Sequence, residues 1–270
     1  AVQMTAWEII WRRFQTKEQR EQQEQVLAKE LNNITIDDRN FIYVTTSAID
    51  EGELQAQITS KDPKTSPIKK LNASGTDVLK RNGDFAPSGE VRLNVAPGAK
   101  IQGASKLVDV GVGPVGTWSI IDQKRSKVYT YDENGNLLFA FGDMGDTATS
   151  QIGNVSEIAA VTYQGSKMLV LDTANDCIVV YRRTEYGDLL INALQNDADR
   201  KFDVAKDDWT EILKRNINYS LAYLQLGKTE ARAGNYDAAM EYFQKIKNTA
   251  DYSTAYKEVR SEWASTYFWI

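Results

Sequence analysis

Three stretches of the chain repeat one pattern: a β-branched or aromatic run, a turn, a second such run, and a glycine. They read Phe41-Ile42-Tyr43-Val44-Thr45 with Pro67-Ile68-Lys69-Lys70-Leu71 and Gly75, then Trp118–Asp122 with Lys127–Asp132 and Gly135, then Met168–Asp172 with Cys177–Tyr181 and Gly187. The second runs and the glycines recur at about 50–60 residues, which marks small antiparallel sheets repeated radially about an axis. A stack of this kind presents a binding surface, and a binding surface need not carry chemistry.

Composition narrows the function. At 270 residues the chain is long enough for one large domain or two medium ones with real cores. A formal charge of −5 and a pI near 5.1 argue against the clustered Lys and Arg of a phosphate-tracking surface, so nucleic acid is not an expected partner. There is no histidine, which removes the commonest general base, the commonest transition-metal ligand and every His-activated nucleophile. The single cysteine, Cys177, cannot form an internal disulfide; on its apolar strand it is expected to be a buried, inert thiol. No apolar run reaches the length of a membrane span, and no signal peptide is visible. Both ends, Ala1-Val2-Gln3-Met4 and Tyr267-Phe268-Trp269-Ile270, read as cut from something longer.

The pattern divides the chain at 1–32, 33–184 and 185–270. In the first segment Trp7, Ile10, Trp11 and Phe14 fall at helical spacing ahead of a Gln/Glu-rich run, which predicts a helix over 5–31 ended by Asn32-Asn33. In the second, alternation from Ile34 and the runs 41–46 and 67–72 predict strands, while the long polar stretch 50–66 has no period and reads as disorder. Four strands follow at 108–112, 118–122, 127–132 and 137–142, the last two joined by the hairpin Asp132-Glu133-Asn134-Gly135-Asn136. Three more are predicted at 158–163, 168–172 and 177–183. No fourth strand follows these, because helical periodicity begins at Tyr186. A three-stranded sheet leaves a raw edge, and three sheets fall short of the roughly four to eight that close a ring. Upstream sheets and a closing strand are therefore expected in a longer parent protein.

The third segment carries a second repeat. Ala205, Trp209 and Ile212 recur 34 positions later as Ala239, Phe243 and Ile246, and Phe202 recurs as Tyr236. That period in a helix-turn-helix context is the tetratricopeptide signature. Leu226-Gly227 falls in the first helix of the second unit, where a small residue lets helices approach closely. The fold class is thus mainly β plus α: a partial β-propeller of about three sheets followed by helical hairpins.

Val170-Leu171-Asp172-Thr173-Ala174-Asn175-Asp176-Cys177-Ile178-Val179-Val180-Tyr181 resembles the NHL repeat, in which an apolar strand, an Asp, a small turn with Asn and a β-branched strand follow one another. The order of parts is similar to a group of NHL-propeller plus tetratricopeptide proteins of Gram-positive bacteria. It is carried by Trp11–Arg20, Ile36-Asp37-Asp38, Phe41-Ile42-Tyr43, Ile68–Asn72, Val78-Leu79 and Thr184-Glu185-Tyr186-Gly187. The resemblance implies that Asp172 and Asn175 tie down their turn. It also implies an extracytoplasmic, cell-surface or membrane-anchored protein with an anchor in the parent, and no enzymatic activity.

Candidate sites follow from both repeats. Asp132, Asn134 and Asn136 have the alternate-oxygen spacing of a calcium loop, with Asp143 at its far end, but a tight hairpin explains the same residues. Asp37, Asp38, Asp109, Asp122 and Asp172 recur near strand ends, where carboxylates usually satisfy turn amides. Trp118, Tyr129, Tyr131, Phe139 and Phe141 are either a glycan platform or packing between sheets. Asn192, Asn196, Tyr223, Lys228 and Arg232 are the candidate partner-binding residues, lining the groove of the helical hairpins. Trp263, Tyr267, Phe268 and Trp269 suit a membrane interface or a preceding helix equally. The expected function is a non-catalytic scaffold that binds a protein or peptide partner, such as a membrane transport complex, with no cofactor and no metal. A metal-dependent propeller enzyme of the lyase or lactonase type and a carbohydrate-binding module are the alternatives.

Overall fold

The computed structural model describes residues 31–46, 66–83, 85–90, 103–142 and 158–267. Two compact units, Ala1–Arg182 and Arg183–Ile270, make up the chain. Apart from Leu31, the helix expected over 5–31 lies outside the described residues, as does most of the polar stretch 50–66.

The first unit holds three antiparallel sheets, each a simple meander. Sheet one is β1 (Leu31–Ile36), β2 (Ile42–Thr46) and β3 (Ile68–Leu71). Sheet two runs β4 (Leu107–Val112), β5 (Trp118–Asp122), β6 (Lys127–Tyr131) and β7 (Leu137–Phe141). Sheet three is β8 (Ile158–Gln164), β9 (Lys167–Asp172) and β10 (Cys177–Arg182). Leu31, placed by sequence at the end of the preceding helix, and Asn32 and Asn33, read as its stop, belong to β1. Leu31 pairs with Thr46, and the register shift between Leu31 and Asn33 makes a bulge of the Asn pair that reads as a helix stop.

The sheets repeat in detail. The first strands β1, β4 and β8 lie side by side, and each carries a register shift, at Leu31/Asn33, Leu107/Asp109 and Ile158/Ala160. The β5–β6 and β9–β10 turns match 50 residues apart. Asp122 Oδ1 accepts the amides of Lys124 and Arg125, as Asp172 Oδ1 accepts those of Ala174 and Asn175. Ser126 and Asp176 then take the same left-handed conformation, with φ of 52° and 49°. A short polar residue reaches that region at modest cost, which lets a five-step turn reverse the chain.

Sheet two is buried on both faces. Toward sheet one, Trp118, Ile120, Tyr129 and Tyr131 pack with Tyr43 and Ile68, the Trp118 and Tyr131 rings stacking at 4.6 Å. Toward sheet three, Ile121 and Val128 meet Ile158, Val161, Met168 and Val170. Such aromatic and aliphatic burial is the main stabilising term for a stack of small sheets. Sheet three ends differently: β10 is an outer strand exposing Ile178 and Val180, and Cys177 is exposed with them. The expectation of a buried thiol is corrected by this edge position, since among the described residues β10 pairs with β9 alone.

The second unit consists of α1 (Glu185–Ala198), α2 (Phe202–Arg215), α3 (Ser220–Arg232), α4 (Tyr236–Lys245) and α5 (Thr249–Tyr267). Thr184 caps α1 by accepting the Gly187 amide at 3.2 Å. The α1–α2 and α3–α4 turns superpose bond for bond at an offset of 34. The Lys201 amide reaches Asn196 O as the Asn235 amide reaches Glu230 O, and Arg200 (φ 62°) takes the place of Gly234 (φ 81°). Ala205, Trp209, Ala239 and Phe243 are all buried, while Ile212 is buried and Ile246 half-buried. Gly227 lies under the Phe243 ring so closely that a Cβ there would stand 2.5 Å from its Cε1. No described helix is long and apolar enough to cross a membrane.

Candidate functional site

The residues proposed from sequence for partner binding do not all face one surface. Lys228 and Arg232, one turn apart on α3, open onto a groove of about 200 Å³ whose other wall is Asp251, Thr254 and Glu258 of α5. The floor is apolar, made by Ala231, Tyr236, Phe243 and Ala255. An i,i+4 pair on α3 opposed by one on α5 is a direct consequence of helical spacing. The Arg232 guanidinium also lies 4.7 Å from the Phe202 ring centre, a cation–π contact that holds it over the end of α2.

Asn196 is used within the first hairpin, donating to Asp208 Oδ2 at 2.7 Å. Tyr223 faces α4, with its ring 6.4 Å from Tyr242 and the Lys245 ammonium 5.4 Å above it. Asn192 is exposed on α1. Among the five, then, only Lys228 and Arg232 line the groove.

Sequence reasoning passed over Asp197. Its Oδ2 accepts the indole N–H of buried Trp209 at 2.8 Å, while its Oδ1 is buried and has no hydrogen-bond partner among the described residues. Burial pushes this carboxyl above its ordinary value, against the Trp209 bond and the attraction of Arg232 and Lys228. The signal was available: Asp197 lies 12 residues before Trp209, the spacing that faces the two sides of one hairpin.

The recurrent carboxylates of the first unit tie down backbone. Asp37 Oδ1 accepts the amides of Arg39 and Phe41, and Asp132 Oδ1 those of Asn134 and Asn136. Asn175 Nδ2 donates to Asp172 Oδ2 at 2.7 Å, completing the tie implied by the NHL resemblance. In the hairpin with calcium-loop spacing, the Asn136 side chain donates to Asp132 Oδ2 and Asn134 Oδ1 accepts from Lys80. Those oxygens are therefore committed to protein donors, while Asp143 lies outside the described residues. Among the described residues no cluster of three metal-ligating side chains occurs.

Trp118, Tyr129 and Tyr131 are core residues, and Phe139 and Phe141 are half-buried. Faces stacked on one another are not free to stack on a sugar. Trp263 and Tyr267 are exposed on α5, whereas Phe268 and Trp269 lie outside the described residues. No protein-family model matches the chain, and no curated protein matches it.

Proposed function

We propose that this chain is a non-catalytic interaction protein, in which part of an NHL-type β-propeller is joined to tetratricopeptide hairpins that hold a protein partner. The propeller reading is supported by first strands lying side by side with a shared bulge, and by the turns matched 50 residues apart. Supporting the tetratricopeptide reading are the α1–α2 and α3–α4 turns matched at 34, with Gly227 under Phe243. Placement at the surface of a Gram-positive bacterium, beside a membrane transport complex, rests on the resemblance of the sequence to that group.

One observation carries the binding reading: Lys228 and Arg232 on one wall of an apolar-floored groove, opposed by Asp251 and Glu258 on the other. Opposite charges on facing walls select a segment that carries both signs in a fixed order and reject the reversed order. The test is a panel of short labelled peptides, acidic, basic and of mixed charge in both orders, titrated against the whole chain. Mixed-charge peptides of one order bind best, and the double change Lys228→Ala with Arg232→Ala weakens them by about tenfold or more. Binding that ignores charge order, or survives the double change in a protein with unaltered circular dichroism, overturns the reading.

A further inference from the structure

The sheet unit contains a cavity of about 440 Å³, walled by Phe41, Tyr43, Trp118, Lys70, Lys80 and Glu133 among others. That volume lies within the range of small-molecule sites, roughly 300–1,000 Å³. It is built by the fold rather than by one loop: Phe41 and Tyr43 come from β2 and its approach, Lys70 from β3, and Trp118 from β5.

Lys70 is the unusual member. Its side chain is only 9% exposed, and its ammonium lies 4.6 Å from the Phe41 ring centre and 5.0 Å from that of Tyr43. The carboxylate paired with it, Asp37 Oδ2, is 3.5 Å away, longer than the roughly 2.7–2.9 Å of a charge-assisted hydrogen bond. Asp37 is already occupied on its other oxygen by two backbone amides. Among the described residues no hydrogen bond to the Lys70 ammonium or to the Tyr43 hydroxyl is found. Burial holds the Tyr43 phenol above its ordinary range, so it stays protonated and can donate.

The other charges on the wall are spoken for. Glu133 is paired with Arg39 at 2.9 Å, and the Lys80 ammonium donates to Asn134 Oδ1 at 3.0 Å. What remains is the Lys70 ammonium and the Tyr43 hydroxyl beside the apolar side chains of Phe41, Val78 and Leu79, with Asn72 as the other polar member of the wall. The Lys70 ammonium is ion-paired with Asp37 and lines the cavity, where an oxyanion can accept a charge-assisted hydrogen bond from one of its N–H groups.

We propose that this cavity binds a small carboxylate with an apolar body, the carboxylate on Lys70 Nζ and the Tyr43 hydroxyl and the body against Phe41, Val78 and Leu79. The site is independent of the helical groove and stands or falls without it. The experiment titrates acetate, phenylacetate and hexanoate into the whole chain by calorimetry, with the neutral amide of each as its control. At least one carboxylate gives saturable binding about tenfold tighter than its amide, and phenylacetate exceeds acetate. Lys70→Met, which keeps the stem and removes the charge, abolishes that preference, and Tyr43→Phe reduces it by several fold.

Lys70→Met leaves Asp37 without its cation, so a version that also carries Asp37→Asn guards against a folding defect. The inference is overturned by equal binding of acid and amide, by no saturation up to about 10 mM with any of the three, or by binding that survives Lys70→Met in a folded protein.

Discussion

Asp109 Oδ2, on the first strand of sheet two, accepts the backbone amide of Val161 on the first strand of sheet three at 2.6 Å. The other oxygen accepts the Val110 amide at 2.8 Å and the side-chain amide of Asn33, from the first strand of sheet one. One buried carboxylate therefore links all three sheets at their bulges, where a strand has amides that the ladder leaves unpaired. Replacing Asp109 with Ala strands the Val110 and Val161 amides in the core and is expected to destabilise the unit by about 2–3 kcal/mol. Urea unfolding followed by tryptophan fluorescence measures it; a change below about 0.5 kcal/mol would show that the sheets hold together without this link.

The same residue sets a pH dependence. Burial raises the Asp109 carboxyl above its ordinary 3.8, against the pull of the Val161 and Val110 amides. Because the folded state then holds the proton more tightly than the unfolded chain, the group favours the fold most below its unfolded value. That contribution is lost as pH rises through the folded value. Asp109→Asn does not titrate. Its stability relative to the parent should therefore improve between about pH 3 and pH 7, read as urea midpoints at the two ends. Movement in the opposite direction means the three donors outweigh burial.

Much of this architecture was legible in the sequence because its strands are short, alternating and separated by Asp-led turns. Trp118–Asp122 forms β5 at the predicted limits, and the recurrence of Trp209 as Phe243 located both helical hairpins. What the sequence hid was set by tertiary neighbours. Asn32-Asn33 has the local chemistry of a helix stop, yet pairing of Leu31 with Thr46 makes it a bulge. Lys70 stands in no candidate site read from the sequence, although it shares the inward parity of Ile68 along β3, and that parity is the available clue. In the helical unit, spacing grouped Asn196 and Tyr223 with Lys228 and Arg232, but partners on α2 and α4 draw the first two away from the groove.

Cys177 separates the edge position of β10 from a covered one. An exposed thiol on an outer strand should react fully with a disulfide reagent in the native protein, without denaturant. Its neighbours Ile178, 61% exposed, and Val180, 50% exposed, share that edge strand, so a partner sheet laid on β10 would slow the reaction. Reaction only on denaturation would mean that this edge is covered in solution.

Gly227 and Phe243 test the close packing of α3 on α4. A methyl group at position 227 would stand 2.5 and 2.8 Å from the Cε1 and Cδ1 atoms of the Phe243 ring, well inside van der Waals contact. The ring is buried and cannot swing out, so either it leaves its rotamer or the helices separate. Gly227→Ala should therefore destabilise the helical unit by about 1–3 kcal/mol, although alanine is the better helix former by roughly 1 kcal/mol. A second change distinguishes this clash from a backbone requirement for glycine. Phe243→Leu alone costs stability by leaving a void, but with Gly227→Ala the added methyl finds room, and the pair should be less harmful than the sum of its parts. Thermal melts of the four proteins complete the cycle. Simple additivity would place the effect of position 227 in the helix backbone rather than in its contact with the ring.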